Sequence, residues 1–224
     1  MADQQQLDIL RQGANIWNKW RQENPDERLD LQGADLSRAN LKDANFIQAN
    51  LSTANLNGAY LIGAYLIWAD PNGANLNGAH LNGANLSGAD LIQANLRGAD
   101  LTEANLKAVD LRGADLSRSN LTRASLVETN LAYAILTSCR VYGISAWKLQ
   151  LKDTLQSNLL ITDDDEPIIT VDNLEVAQFI YLLLNNEHIR YVINTITSKV
   201  VLILEAVWKG FRGQLTRKKT SGAP

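Results

Sequence analysis

From Leu29 to Val141 the apolar positions recur every fifth residue. Leu31, Leu36, Leu41, Phe46, Leu51, Leu56, Leu61 and Leu66 open the series, Pro71 interrupts it once, and Leu76 through Leu136 continue it without a slip. An alanine stands two residues before nearly every one of these, with Asn or Asp between. A period of five fits neither a helix of 3.6 residues per turn nor a strand of period two. Repetition over 22 units at one fixed period points instead to a solenoid, whose units bury their apolar faces only by stacking on their neighbours. The pattern predicts that Leu and Ala face inward and the other three positions outward. Each buried Leu then contributes roughly 1.5–3 kcal/mol. Leu86→Ala is expected to be costly, and Asn85→Ala beside it to cost little. Gly is frequent two residues after Leu, as at Gly33 and Gly88, which marks an outward corner. Val109, Ser119, Thr129 and Cys139 replace Ala toward the end of the series, where the solenoid is expected to widen or fray. Pro71 is expected to occupy a Leu position without shifting register, because Ala69 and Ala74 keep the spacing.

The rule A-(N/D)-L-x-x, held over about half the chain, resembles that of the pentapeptide-repeat proteins. The resemblance implies an all-β solenoid: a right-handed quadrilateral β-helix with four pentapeptides to a coil. It implies about five and a half coils over residues 29–141, a rod about 27 Å long at the spacing of stacked strands.

The flanking pattern differs. Residues 4–23 read as one amphipathic helix, with Leu7, Leu10, Ala14 and Trp17 on one face and Trp20 beside it. Pro25 ends it. Solenoid ends need covering, so residues 1–28 are assigned as an N-terminal capping helix and residues 29–141 as the β-helix. After Val141 the five-residue phase is expected to be lost. Residues 142–204 read as a small C-terminal strand and helix module. In it Trp147, Leu149 and Leu151 alternate like a strand, Asn158–Thr162 add a second, and Asp163–Pro167 form a charged linker. Asp172 with Glu175 suggests a capping box opening a helix to about Asn185, whose Phe179 and Leu183 are expected to cover the last coils near Leu131 and Leu136. Ile189, Val192, Ile193 and Ile196 have helical spacing, and Val200–Leu204 reads as a buried strand. Residues 143–204 also resemble the segment that joins a pentapeptide β-helix to a Toll/interleukin-receptor-like domain, which would make Val200–Leu204 that domain's first strand. The rest of such a domain is missing from residues 205–224, a basic tail expected to be disordered, so no nucleotide-cleaving site follows from the resemblance.

Charge and chemistry narrow the functional classes. Residues 1–204 carry 16 Lys and Arg against 23 Asp and Glu, and residues 205–224 carry five against one. An acidic body does not invite nucleic acid, which needs a basic face. A single cysteine rules out an internal disulfide framework. The N-terminus has no basic start or apolar core of a leader, and Val200–Trp208 is too short to span a membrane. A cytoplasmic protein without membrane contact or cofactor is the expectation. Residues twenty apart share a column, so Asp70, Asp90 and Asp110 form an acidic ladder, where bare carboxylates repel by about 0.9 kcal/mol per pair in water. Tyr60, His80 and Asp100 share a second column without completing a zinc set, and Cys139 reads as a small buried apolar residue. Tyr60, Ile62, Tyr65, Ile67 and Trp68 all point outward on two adjacent sides of the second coil, with Ile47 one coil away. Such a patch marks a candidate protein-contact surface, for a partner, for self-association or for another segment of the chain. With no catalytic constellation, a non-enzymatic interaction scaffold is the first reading. The alternatives are a DNA mimic that binds a type II topoisomerase, as the family resemblance suggests, and a truncated signalling protein. Ten Asp and Glu against eight Lys and Arg over residues 29–141 count against the mimic.

Overall fold

The computed structural model describes residues 1–163, 165–188, 191 and 195. The chain divides into two compact units, Met1–Phe179 and Ile180–Pro224.

In the first unit the repeats form a parallel β-solenoid with a twenty-residue coil. Asp30 pairs with Asn50, Asp35 with Asn55 and Asn40 with Tyr60, and the same step recurs to Arg140 with Leu160. Each side of a coil is stitched by short bonds of one pattern. Leu31 N–H donates to Asn50 O at 2.8 Å, Gly33 N–H to Ser52 O at 2.9 Å, and Asn50 N–H to Leu29 O at 2.9 Å. At the corner Ala34 N–H turns back onto Leu31 O at 3.0 Å. The Leu and Ala columns are buried from Leu29 to Ala146, except at half-buried Ala39, which places the core along the solenoid axis. The position two after each Leu is left-handed in every repeat. Gly33 has φ 67° and Gly88 69°, and sixteen non-glycine residues, from Arg38 to Asn158, adopt φ of 51–63° there. A single L-residue in that region costs roughly 1–2 kcal/mol, and here stacking offsets it.

Pro71 is buried in the Leu column with the register intact around it. Asp70 N–H still donates to Ala49 O and Gly73 N–H to Ile92 O, both at 2.9 Å. What is lost is the donor that a Leu would aim at the carbonyl of Asp90, and with it the Asp70–Asp90 bridge.

The late substitutions in the Ala column neither widen nor fray the coil. Val109, Ser119, Thr129 and Cys139 are all buried. Thr129 Oγ1 donates to Leu106 O at 2.8 Å, Cys139 Sγ to Leu116 O at 3.0 Å and Ser119 Oγ to Cys139 Sγ at 3.6 Å.

The five-residue phase does not end at Val141. Ser125 pairs with Ser145 and Asn130 with Gln150, and β1 (Ile135–Thr137) pairs in parallel with β2 (Leu155–Ser157). Solenoid pairing therefore reaches Leu160, and Trp147, Leu149 and Leu151 sit in this further coil and not in a separate strand. Asn158–Thr162 contain the short β3 (Leu159–Leu160), which pairs antiparallel with β4 (Thr170–Val171).

The single N-terminal helix expected over residues 4–23 is two helices, α1 (Gln4–Leu10) and α2 (Ala14–Glu23). Gly13, at φ 110°, breaks them with a conformation that only glycine takes readily. The break lets the two pieces reach different sides of the first coil. From α1, Leu7 and Leu10 are buried. From α2, Trp17 is fully buried, with its ring 5.8 Å from that of Phe46.

Helix α3 (Leu174–Asn185) begins one residue later than the capping-box reading implies. Asn173 Oδ1 accepts from Val176 N–H at 2.9 Å, while Asp172 Oδ1 accepts from Asn158 N–H at 2.7 Å. Phe179 is 62% exposed, so it does not cover the last coils; Leu174, Ala177 and Gln178 are the buried residues of α3. Gln178 Oε1 accepts from Ala146 N–H at 2.8 Å, and Gln156 Oε1 from Leu174 N–H at 2.8 Å.

In the second unit Asn185 Nδ2 donates to Tyr181 O at 2.9 Å. The helical spacing at Ile189–Ile196 and the strand expected at Val200–Leu204 lie outside the described residues, as does the basic tail. Among the described residues no helix is long and apolar enough to cross a membrane.

Candidate protein-contact surfaces

The outward positions acquire their roles from the stacking. The Asn or Asp before each Leu does more than face water. Its Oδ1 accepts the N–H two residues on, as Asn85 does from Ser87 (3.1 Å) and Asp90 from Ile92 (3.0 Å). This side-chain turn tightens each coil. Where Asn stacks on Asn or Asp, its amide also donates along the column, Asn55 Nδ2 to Asp35 Oδ1 at 3.0 Å and Asn105 Nδ2 to Asn85 Oδ1 at 3.1 Å.

The acidic ladder is less bare than its sequence. Asp70 is exposed, and Asp90 and Asp110 are half-buried. Asp110 is held by Arg112, whose Nε lies 2.9 Å from both carboxylate oxygens and whose Nη2 lies 2.8 Å from Oδ2. The Asp110 hydrogen bond and charge, with the Asp90 field behind them, raise the Arg112 pKa. Among the described residues no three His, Cys, Asp or Glu side chains converge as metal ligands would.

In the second column Tyr60 stacks on His80, with ring centroids 4.8 Å apart and planes within 5°. Burial works to raise the Asp100 pKa, but hydrogen bonds from the Thr102 hydroxyl and amide and from Asn82, together with the His80 charge, bring it below the usual carboxylate range. Cys139 is buried, and burial pushes its thiol up to about 11.

The apolar patch lies on two adjacent sides of the second coil. Trp68 is 65% exposed, Tyr65 48%, Tyr60 46% and Ile62 37%, while Ile67 and Ile47 are half-buried. Trp68 occupies a left-handed corner, φ 55°. Its ring lies over the Cα of Gly88 one coil away, so a Cβ at Gly88 would meet the ring at 2.5 Å. One face of the indole is thus seated on the solenoid and the other faces water. Further apolar side chains, Trp147, Leu155, Ile168 and Phe179, are exposed near the later coils and α3.

A feature that sequence reasoning missed lies at the N-terminal edge of the solenoid. A groove of ≈ 610 Å³ separates the α1–α2 junction from the first coil, with Leu10, Gly13 and Ala14 on one wall and Leu36, Ala39 and Leu41 on the other. Gly13, in the middle of an otherwise helical pattern, was its one signal in the sequence.

Comparison with known proteins agrees with this architecture. The family model for pentapeptide repeats matches eight copies, over residues 30–66, 72–107 and 104–141. No curated protein matches the chain. Among solved structures the chain is similar to HetL, a pentapeptide-repeat protein involved in heterocyst differentiation regulation from the cyanobacterium Nostoc sp. strain PCC 7120. The two are 34% identical over 64% of this chain and 65% of HetL, with a TM-score of 0.41. The chain thus spans a little less than two thirds of HetL. QnrB1, a plasmid-mediated fluoroquinolone resistance protein, is 22% identical over 56% of this chain and 76% of its own, with a TM-score of 0.43. The pentapeptide-repeat protein alr5209 from Nostoc PCC 7120 is 36% identical over 44% of this chain and 84% of its own, with a TM-score of 0.21. The family match, together with the twenty-residue coil, shows that residues 30–141 of the chain are built of pentapeptide repeats.

Proposed function

We propose that the chain is a non-enzymatic protein-interaction scaffold whose contact surface is centred on Tyr60, Tyr65 and Trp68. The observation that carries this reading is Trp68. It holds a large apolar ring 65% exposed, in a backbone conformation that glycine serves in many other repeats. An aromatic ring left this exposed has a hydration cost in the free protein that a partner's apolar contact would offset. The stacked Tyr60–His80 pair extends the surface, and the coils beneath it are rigidly bonded. Helices α1 and α2 serve as the cap of the N-terminal coil in this reading, and the Gln178 and Gln156 contacts of α3 support the other end.

DNA mimicry aimed at a topoisomerase calls for an unbroken acidic face. Pairing of Asp110 with Arg112 favours the scaffold reading over it. The test is the double variant Tyr65→Ser/Trp68→Ser in the full chain. It is expected to abolish self-association in sedimentation, or to lose a partner retained by the unaltered chain at raised salt, because apolar contacts resist screening. Unchanged sedimentation and an unchanged set of bound proteins would remove the patch from the function.

A further inference from the structure

The side of the solenoid that carries Tyr65 and Trp68 lacks a bond that the same side makes in the coils around it. In the coil before, Ile47 N–H donates to Asn45 Oδ1 at 3.1 Å. In the two coils after, Ser87 N–H donates to Asn85 Oδ1 and Lys107 N–H to Asn105 Oδ1, both at 3.1 Å. In the coil between, Tyr65 stands where the Asn would be, and Ile67 N–H has no hydrogen-bond partner among the described residues. The same exchange frees a second donor. Asn105 Nδ2 donates to Asn85 Oδ1, one coil back, at 3.1 Å. Asn85 pairs instead with Tyr65, and its own Nδ2 has no acceptor among the described residues. The indole N–H of Trp68 has none either, whereas Trp17 Nε1–H donates to Asn45 O at 2.8 Å.

The main-chain acceptors of this side are taken. Tyr65 O accepts from Phe46 N–H at 2.8 Å, Ile67 O from Gln48 N–H at 2.9 Å, Asn85 O from Leu66 N–H at 2.7 Å and Ser87 O from Trp68 N–H at 3.1 Å. The rotatable groups nearby, the Gln48 amide and the Tyr65 hydroxyl, serve in either sense. Residues 45–48, 65–68 and 85–88, which make this side over three coils, include no Asp, Glu, Lys or Arg. On the adjacent sides the exposed Lys42 is outnumbered by Asp43 and Asp70, so an anionic ligand meets no net positive charge. A ligand suited to this face brings apolar rings and carbonyl oxygens but no N–H of its own, because an N–H buried there without an acceptor costs free energy. Runs of proline meet that description: proline lacks the N–H, and its polyproline II conformation is preformed and leaves the carbonyls unpaired. We propose that the Tyr65–Trp68 side binds a proline-rich segment of a partner protein, with a pyrrolidine ring on the free face of Trp68 and a main-chain carbonyl accepting from Ile67 N–H. The inference rests on the reading of this patch as a protein-contact surface and names the chemistry of its partner. A second copy of the chain cannot supply the segment, because Pro25, Pro71, Pro167 and Pro224 stand far apart in sequence. The site lies on one side of the coil, so the ligand need not turn the corner at Gly63.

The probe is capped nonaproline, titrated into the full chain and followed by NMR at Ile67 N–H and the Trp68 indole N–H. Both protons should move downfield, and amide exchange at Ile67 should slow by roughly tenfold or more. Trp68→Ser should weaken binding about tenfold. Two substitutions at Tyr65 separate the ring from the donor. Tyr65→Ala removes the ring and leaves Ile67 N–H free, whereas Tyr65→Asn also supplies the acceptor found in the coils on either side. Tyr65→Asn follows the repeat rule and should fold, yet it should bind nonaproline about tenfold more weakly than Tyr65→Ala. Equal affinity of these two variants would overturn the proposal. Tighter binding of capped nonaglutamate than of nonaproline would also overturn it, because a carboxylate would then be the acceptor. So would self-association that Tyr65→Ser/Trp68→Ser abolishes and nonaproline leaves untouched, since a second copy would then be the occupant. If nonaproline does not bind, the proline assignment falls. The scaffold reading survives that result if Tyr65→Ser/Trp68→Ser still loses a bound protein, and falls with it if that variant changes nothing.

Discussion

At the scale of single residues the solenoid depends on two neighbours that act on opposite sides of the backbone. Leu86 is 1% exposed, and replacing it with Ala should cost about 2–5 kcal/mol, the range for deleting a packed Leu. Asn85 points outward, yet its Oδ1 accepts from Ser87 N–H, from the Ser87 hydroxyl at 2.8 Å and from Asn105 Nδ2 at 3.1 Å. Asn85→Ala should therefore cost about 0.5–2 kcal/mol, by analogy with a lost helix cap, and not the negligible amount expected of a solvated residue. Urea denaturation of the two variants checks this. No loss at Asn85 would mean that the side-chain turn adds nothing, and equal losses would contradict the inward and outward assignment. The pattern A-(N/D)-L disclosed which residues face inward, because burial sets the period. It did not disclose what Asn and Asp do outside, because an outward polar residue reads alike whether it is solvated or bonded to its own backbone. The patch shows the same limit. Tyr60, Tyr65 and Trp68 were placed outside by the period, but the seat of Trp68 on Gly88 arises from a twenty-residue separation that only stacking brings together.

At the scale of elements, legibility depended on how faithfully each segment kept one local rule. The coil after Val141 escaped notice because its sizes are exchanged. Ile144 stands where Ala is usual and Ala146 where Leu is usual, and both are buried. Exchange conserves the volume inside a coil, which packing tolerates, while it erases the letters by which the repeat is recognised. The α1–α2 break was hidden for a different reason. An isolated Gly within an amphipathic pattern is compatible with a continuous helix, and only docking onto two separate sides of the coil requires Gly13 to leave it. Pro71 tests the ladder itself. Leu76 N–H, one repeat later, donates to Asn95 O at 2.8 Å, a bond whose equivalent Pro71 cannot make to Asp90. Pro71→Leu should restore a bond worth about 0.5–1.5 kcal/mol and fill the column better. Against this, the unfolded chain regains freedom worth about 0.4–1 kcal/mol. The net expectation is a gain of about 1 kcal/mol, seen as a higher urea midpoint with an unchanged slope. A lower midpoint would show that the coil is shaped around the proline ring.

At the scale of the whole molecule, the outward Asp and Glu side chains link the solenoid's stability to pH. Hydrogen bonds from Ser37 and Asn55 lower the Asp35 pKa against a smaller burial effect. Hydrogen bonding and charge from Lys148 lower that of Glu128. For Asp115 burial acts to raise the value, but Ser117 and Arg97 bring it down on balance, and Asp100 follows the same course through Thr102, Asn82 and His80. A carboxyl group whose pKa is lower folded than unfolded resists protonation only in the folded state. Its contribution is therefore fully present above the unfolded value, about 4, and is lost as pH falls from there through the folded value. Asp35 lies in the first coil and Asp100, Asp115 and Glu128 in the fourth and fifth, so stability should decline below about pH 4 as these groups protonate. Asp100→Asn isolates one of them. Asn keeps an oxygen to accept from Thr102 N–H and its hydroxyl but carries no proton equilibrium. The variant should thus match the unaltered chain more closely at low pH than at pH 7, and its urea midpoint should fall less steeply between those conditions. An equally steep fall in both proteins would show that the solenoid's acid sensitivity arises elsewhere than in the Tyr60–His80–Asp100 column.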